Sequence, residues 1–160
     1  MKIVVASGKG GTGKSMLASS LTLLFSEMLD VVACDCDVDA PNLGLWLGVT
    51  TWDHVEAIST SEKAKINSDK CVGCGKCFDN CAFGAIEKKD SVFAINPLLC
   101  EGCGVCQLVC PVNAIDLKPV MNGEIKIKKT KWGFPLVSGQ LKPGETGSGK
   151  IVQELRKRAD

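Results

Sequence analysis

Eight of the ten cysteines in this 160-residue chain fall into two runs with identical spacing. In each run, two residues separate the first three cysteines and three residues precede the fourth. Thiolates are soft ligands for iron and zinc, and the two-residue spacing wraps a tight turn that points three sulfurs at one centre. The fourth cysteine begins a helical turn and faces away. The first run is Cys71, Cys74, Cys77 and Cys81, and the second is Cys100, Cys103, Cys106 and Cys110.

This spacing is that of bacterial ferredoxins, in which the fourth cysteine of each run binds the cluster of the other run. It predicts two [4Fe–4S] clusters. The alternatives are disulfides and four-cysteine zinc sites, although zinc sites usually separate two cysteine pairs by a longer loop. Glycine at positions 73, 75, 102 and 104 permits positive φ and leaves N–H groups free to bond sulfur. One cluster is predicted on Cys71, Cys74, Cys77 and Cys110, and the other on Cys100, Cys103, Cys106 and Cys81.

The two cysteine runs belong to an internal repeat. Residues 71–86 and 100–115 match at eight of sixteen positions, with an offset of 29. Neither half is long enough to bury a core alone, so we expect them to pack as a pseudo-twofold pair.

A second chemical motif, GKGGTGKS, lies at Gly8–Ser15 and fits the P-loop pattern. An apolar run at Lys2–Ala6 predicts a buried strand before it, and the segment after it predicts a helix. In such a loop the backbone N–H groups and the helix N-terminus bind phosphate oxygens. Lys14 would reach the β- and γ-phosphates and Ser15 would bind Mg²⁺. The predicted nucleotide-binding residues are Gly8, Lys9, Gly10, Gly11, Thr12, Gly13, Lys14, Ser15 and Met16.

The elements around these motifs follow from hydrophobic periodicity. Residues 16–29 predict a core helix, since Leu17, Leu21, Leu24 and Met28 fall on one face. A strand at Val31–Cys34, ending at Asp35, completes a strand–helix–strand unit with a parallel sheet. Beyond the cysteine repeat, we predict an edge strand containing Ile125 and Ile127, a strand at Leu136–Leu141, and a helix at Gly149–Ala159 with a solvated basic end.

Lys9 makes the loop more specific. The KGGTGK form resembles the deviant P-loop of the MinD/ParA/Mrp ATPases, relatives of the nitrogenase iron protein. The resemblance implies a homodimer, in which Lys9 reaches the partner's nucleotide and acts with Lys14 in catalysis. DCDVDAPN, at Asp35–Asn42, resembles the switch I of that family. It implies that Asp35 lies near Mg²⁺ and that either Asp37 or Asp39 orients the attacking water; a purely structural role for these carboxylates is the alternative.

The whole chain resembles an ATPase of that superfamily with an inserted ferredoxin domain. The resemblance implies an incomplete α/β P-loop sheet formed by residues 1–60 and 121–160, with an α+β ferredoxin-like domain at 61–120. No switch II segment follows, so we expect a truncated ATPase that hydrolyses ATP weakly or not at all alone. A near-repeat of the P-loop, GETGSGKI at 144–151, lacks the hydroxyl residue for Mg²⁺ and predicts a turn capping the last helix.

Composition narrows the function further. The formal net charge is +1, and two oxidised clusters would move it to about −3, so bulk charge gives no case for nucleic acid or membrane binding. No stretch reaches the ~20 apolar residues of a membrane span, and no secretory signal is evident.

We expect a cytoplasmic, nucleotide-gated electron-transfer protein with a redox partner protein. The alternatives are an iron–sulfur carrier of the Mrp type and a ferredoxin fused to a non-hydrolysing nucleotide domain.

Overall fold

The computed structural model describes residues 1–160 and contains five helices and eight strands. In chain order these are α1 (Lys14–Ser26), β1 (Ala33–Asp35), α2 (Leu43–Trp46), β2 (His54–Ile58), β3 (Ser61–Ile66), α3 (Lys76–Asp79), β4 (Ile86–Lys89), β5 (Val92–Ile95), α4 (Val105–Leu108), β6 (Ile115–Val120), β7 (Gly123–Lys129), β8 (Pro135–Leu141) and α5 (Ser148–Ala159). None of the helices combines the length and apolar character needed to cross a membrane.

The chain divides into two compact units. The first unit, here called the sheet unit, comprises Met1–Ile58, Gly123–Lys142 and Ser148–Asp160. The second, here called the cysteine unit, comprises Ser59–Asn122 and Pro143–Gly147.

The sheet unit is built on four strands in the order β1-β8-β7-β2. β1 pairs with β8 in parallel, with Ala33 opposite Leu136, and the other two pairings are antiparallel. The architecture is therefore mixed α/β with one parallel pairing. Because successive side chains of a strand alternate between faces, the sheet carries two apolar layers. One layer contains Ala33, Leu43, Leu47, Phe134 and Leu136, and the other contains Val38, Ile125, Val137, Ile151 and Leu155.

The strand predicted at Lys2–Ala6 is absent. This segment has no ladder hydrogen bonds, and Ile3 and Val4 are exposed. A strand forms only where a neighbouring backbone accepts its hydrogen bonds, and here β8, rather than this run, lies beside β1. The parallel pairing expected between Lys2–Ala6 and the second strand is instead made by β1 and β8.

Helix α1 forms as predicted, but its predicted core face is wrong. Leu17 and Leu24 are about half exposed and Met28 is 74% exposed. The side that packs is the one carrying Ala18 and Leu23, which lie against the layer containing Leu43. Hydrophobic periodicity therefore identifies one apolar face of α1, but the face that packs against the sheet unit is the one with Ala18 and Leu23.

The later elements form close to where periodicity places them. β1, β8 and α5 lie within two residues of the predicted segments. β7, however, lies between β8 and β2 and is not an edge strand. Its alternating lysines find polar partners, since Lys128 pairs with Asp53 at 2.5 Å and Lys126 with Gln140 at 2.6 Å. At the basic end of α5, Arg156 and Lys157 are exposed as predicted, whereas Arg158 is partly buried and pairs with Glu56 and Glu154.

The cysteine unit consists of two small antiparallel sheets, β3–β6 and β4–β5, with the short helices α3 and α4. Its core contains Phe93, Ile86 and Ile115 together with several cysteines. The repeat predicted from sequence is visible in the backbone, since Gly84 and Asn113, which are 29 positions apart, both have positive φ.

The segment Pro143–Gly147 belongs to this unit although it lies between β8 and α5 in the chain. The buried ammonium of Lys63 pairs with the Glu145 carboxylate at 2.9 Å. The fully buried Asn122 side chain donates to the Thr146 carbonyl at 2.7 Å. The segment is thus held by two polar contacts that water does not screen effectively.

Candidate functional site

The two cysteine turns have the backbone geometry predicted from their glycines. Gly73, Gly75, Gly102 and Gly104 have φ values between 67° and 80°. Gly75 and Gly104 directly precede α3 and α4, which carry Cys77 and Cys106. At Gly102 a Cβ would overlap the Glu62 carbonyl oxygen, and at Gly73 it would overlap the Ser91 carbonyl oxygen. These positions therefore require glycine for space as well as for φ.

The turns place the eight cysteines around two cavities. The first cavity is lined by Cys71, Cys74, Cys77 and Cys110. The second is lined by Cys81, Cys100, Cys103 and Cys106. Each fourth cysteine therefore lies with the first three cysteines of the other run. Apolar side chains, including Ile66 and Phe93 at the first cavity and Ile95 at the second, complete the walls.

The donor set fits a polynuclear cluster better than a single ion. No three His, Cys, Asp or Glu side chains come close enough to share one metal ion. A zinc ion with Zn–S bonds of about 2.3 Å needs its thiolates nearly in contact, whereas a cubane binds each thiolate at a separate corner. The arrangement of four cysteines around each cavity therefore fits [4Fe–4S] clusters.

Local contacts further define the cysteine environment. Burial raises the pKa of the Cys77 and Cys106 thiols, so binding of a metal, which requires thiolates, competes with protons there. The Ala114 amide donates to Cys110 Sγ at 3.2 Å, and the Ala64 amide donates to Cys100 Sγ at 3.5 Å. Such N–H···S bonds stabilise a charged sulfur and hold it in place.

The P-loop precedes α1 as an exposed turn. Gly11 and Gly13 have positive φ, and the helix begins at Lys14. The Lys14 ammonium donates to the Lys9 carbonyl at 3.1 Å and is thereby folded back onto the loop. A Cβ atom added to Gly8, Gly10 or Gly11 would have no neighbouring atom within 4 Å. The loop backbone is therefore accessible to a ligand. Ser15 is partly buried in the first turn of α1, and Met16 is half exposed.

Ser7 is a loop residue that the P-loop pattern does not include. Its hydroxyl donates to the Lys9 carbonyl at 2.9 Å and lies 2.7 Å from Thr12 Oγ1. It thereby joins the two ends of the loop. The P-loop pattern starts at Gly8. The one signal in the sequence for the role of Ser7 is that it places a hydroxyl group directly before the pattern.

The three aspartates of the segment that resembles switch I, Asp35–Asn42, differ in burial. Asp35, at the end of β1, is 6% exposed and accepts N–H bonds from Leu43 at 2.9 Å and from Asp37 at 3.2 Å. Burial raises its pKa, against the lowering effect of those donors. Asp37 and Asp39 are exposed on either side of the buried Val38. No hydrogen bond joins these carboxylates to the P-loop, so the structure does not bring the two halves of the predicted nucleotide site into direct contact.

The near-repeat of the P-loop is a structural element. Its Ile151 is completely buried in the layer that contains Leu155, and Gly147 has a φ of 96° just before α5. The segment forms a turn and the first residues of α5, in agreement with its interpretation as a turn before the last helix.

Comparison with protein families finds two models that match this chain. Residues 1–73 match the family model described as the NUBPL iron-transfer P-loop NTPase, and residues 64–117 match a 4Fe–4S dicluster domain. Both modules thus match known families: a P-loop NTPase of the MinD/ParA/Mrp superfamily and a 4Fe–4S dicluster domain. The resemblance inferred from the motifs is confirmed.

Two proteins of Methanocaldococcus jannaschii are similar along nearly the whole chain. The uncharacterized protein MJ0578 is 49% identical over 99% of this chain, and the uncharacterized protein MJ0579 is 32% identical over 98% of it. In both cases the match covers 55% of the relative. The chain therefore spans about half the length of these curated relatives.

Proposed function

We propose that this chain is the nucleotide-binding and electron-carrying part of an iron–sulfur protein, in which ATP binding controls electron transfer through two [4Fe–4S] clusters. The observation that carries the proposal is the grouping of eight cysteines around two cavities in a chain that also has a P-loop. The dicluster and P-loop family matches support the same pairing of modules.

The residues around the cavities suit a retained electron carrier. When bound, a [4Fe–4S] cluster supplies a one-electron couple whose potential depends on hydrogen bonds and solvent exposure. Phe93 and Ile66 form apolar walls of the first cavity, and the Ala114 amide would stabilise the thiolate of Cys110. Four protein ligands and apolar walls favour retention of the cluster over its release.

The nucleotide module supplies residues for binding and sensing a phosphate. Lys14 is already held at the loop, and Asp35 and Ser15 are the residues that would hold Mg²⁺. Asp37 and Asp39 are exposed and free to turn toward a bound nucleotide. By the family resemblance, Lys9 would complete the site of a partner subunit, and hydrolysis would require that homodimer.

The decisive experiment is a redox titration followed by electron paramagnetic resonance, on the cluster-loaded protein with no nucleotide, with MgADP and with MgATP. Useful coupling of about 1–3 kcal/mol corresponds to a shift of about 40–130 mV for one electron. We expect a shift of that size with MgATP and its loss in Lys14→Met, which keeps both clusters. Equal potentials in all three states would instead support a ferredoxin fused to a non-gating nucleotide domain.

A second function, iron–sulfur cluster delivery, is favoured by one observation. The family model that matches residues 1–73 is described as an iron-transfer NTPase. A carrier must release its cluster, so the loaded protein would transfer iron and sulfide to an apo-ferredoxin within minutes. We expect retention of the clusters over that time, and rapid transfer would reverse the order of the two proposals.

The location and partners of this activity follow from the same chemistry. All ten cysteines are free thiols in the structure, as a metal-binding thiol set requires. We place the protein in a reducing cytoplasm, with a soluble redox protein as the electron partner.

A further inference from the structure

Two cysteines belong to neither cavity, and they lie side by side. Cys34 is in β1 and Cys36 follows it by two positions, and their Sγ atoms are 3.6 Å apart. Residues two apart on a strand point to the same face, which is why the two thiols meet. A disulfide bond is about 2.05 Å long, so the two sulfur atoms must move about 1.5 Å closer to form a bridge.

The two thiols differ in access in the way that an attacking and a resolving cysteine differ. Cys36 is exposed, whereas Cys34 is partly buried and packs against the layer containing Val137 and Leu155. An oxidant in solution can therefore react with Cys36, and Cys34 lies close enough to attack the mixed disulfide that forms there.

The intervening residue is Asp35, the predicted Mg²⁺ ligand. The backbone is fixed on both sides of it, since Cys34 pairs with Val137 in the sheet and the Val38 carbonyl accepts from the Leu141 amide at 2.7 Å. Drawing Cys34 and Cys36 together must therefore be absorbed by the segment between these points. That segment includes the Asp37 amide that bonds Asp35.

We propose that Cys34 and Cys36 form a reversible dithiol–disulfide switch that reacts with low-molecular-weight disulfides. Formation of the disulfide alters the aspartate-containing loop at Asp35–Asn42, which belongs to the nucleotide site. Cys36 Sγ attacks the small disulfide, forming a mixed disulfide and releasing one small thiol. Cys34 Sγ then attacks Cys36 Sγ, and the second small thiol leaves. The two protein thiols are oxidised, the small disulfide is reduced, and the two thiol hydrogens end on the released thiols.

The chemical half of the proposal is tested by thiol labelling of the cluster-loaded protein. The protein is equilibrated anaerobically with mixtures of oxidised and reduced glutathione, alkylated and digested with trypsin. Residues 15–63 form one tryptic peptide, which contains Cys34 and Cys36 and no other cysteine. Under oxidising mixtures we expect this peptide to carry neither label and to have the mass of the unlabelled peptide minus two hydrogen atoms. With reduced glutathione it should be labelled at both cysteines again. The absorbance of the clusters should not change.

Variants separate a switch from simple modification. Cys34→Ser removes the resolving thiol, so a glutathione adduct should persist on Cys36. Full labelling of both cysteines at every ratio, or a persistent adduct in the unmodified protein, would overturn the dithiol switch.

The regulatory half rests on the proposed nucleotide binding and is tested on the same samples. We expect the oxidised form to bind MgATP about fivefold or more weakly than the reduced form. A disulfide that forms without changing the affinity would overturn the regulation. If neither form binds MgATP, the proposed function fails at its nucleotide site, while the labelling result still decides whether the dithiol reacts.

Discussion

Cys77 and Cys110 line the same cavity although they come from different halves of the cysteine repeat. Cys77 is placed by α3 after the Gly75 turn, and Cys110 follows α4. The matching exchange brings Cys81 to the second cavity. Each cavity is therefore complete only when both halves of the repeat are folded together, so we expect cluster assembly and folding of this unit to be coupled.

The P-loop lysine gives the first prediction. Lys14→Met removes the ammonium held on the loop, and a charge-assisted hydrogen bond to phosphate is worth about 1.5–3 kcal/mol. We expect nucleotide affinity, measured with a fluorescent ATP analogue, to fall by about 10–150-fold. Lys150→Met is the matched control, because Lys150 holds the equivalent place in the near-repeat and should leave the affinity unchanged. An unchanged affinity in Lys14→Met would show that the nucleotide binds elsewhere, and equal losses in the two variants would show that the effect is not specific to the P-loop lysine.

The cysteine turns give the second prediction. Gly102→Ala forces a Cβ into the Glu62 carbonyl, so the turn that presents Cys100 and Cys103 must shift. Iron content should fall by about half in this variant. Gly84→Ala has a similar φ but open space around its Cβ, and the remaining strain of about 1–2 kcal/mol should leave both clusters in place. Normal iron content in Gly102→Ala would show that the turn does not position a ligand.

The third prediction concerns the packing of α5 on the sheet. A Cβ at Gly139 would lie 2.6 Å from Leu155 and 2.9 Å from Val38, both of which are buried. Gly139→Ala should therefore reduce the free energy of unfolding by about 1–3 kcal/mol in urea titrations followed by circular dichroism. Gly149→Ala, on the open side of α5, should instead stabilise the protein by about 0.5–1 kcal/mol. Destabilisation of the same size by both substitutions would mean that the close contact is not the cause.

Sequence reasoning succeeded where the determinant is local. The spacing of the cysteines and the glycines beside them set the turns directly, so positive φ at Gly75 and Gly104 followed from sequence alone. The capping turn before α5 was also local, and the burial of Ile151 agrees with it.

The errors came from features that depend on distant partners. Lys2–Ala6 has the composition of a strand but no neighbouring strand to pair with. The apolar residues of α1 predicted a buried face, yet which face is covered depends on where the sheet lies, and Leu24 remains exposed. The polar partner of Lys128, Asp53, could not be read from the chain, so an internal strand resembled an edge.

We infer that each cluster takes three ligands from one cysteine run and the fourth from the other. Iron content of paired cysteine variants tests it directly. Cys71→Ser with Cys110→Ser removes two ligands of one predicted cluster, so about four irons per chain should remain. Cys71→Ser with Cys81→Ser removes one ligand from each predicted cluster, so both should be lost or degraded. The reverse pattern, with four irons kept only in the second pair, would show that each run binds its own cluster and would contradict the account.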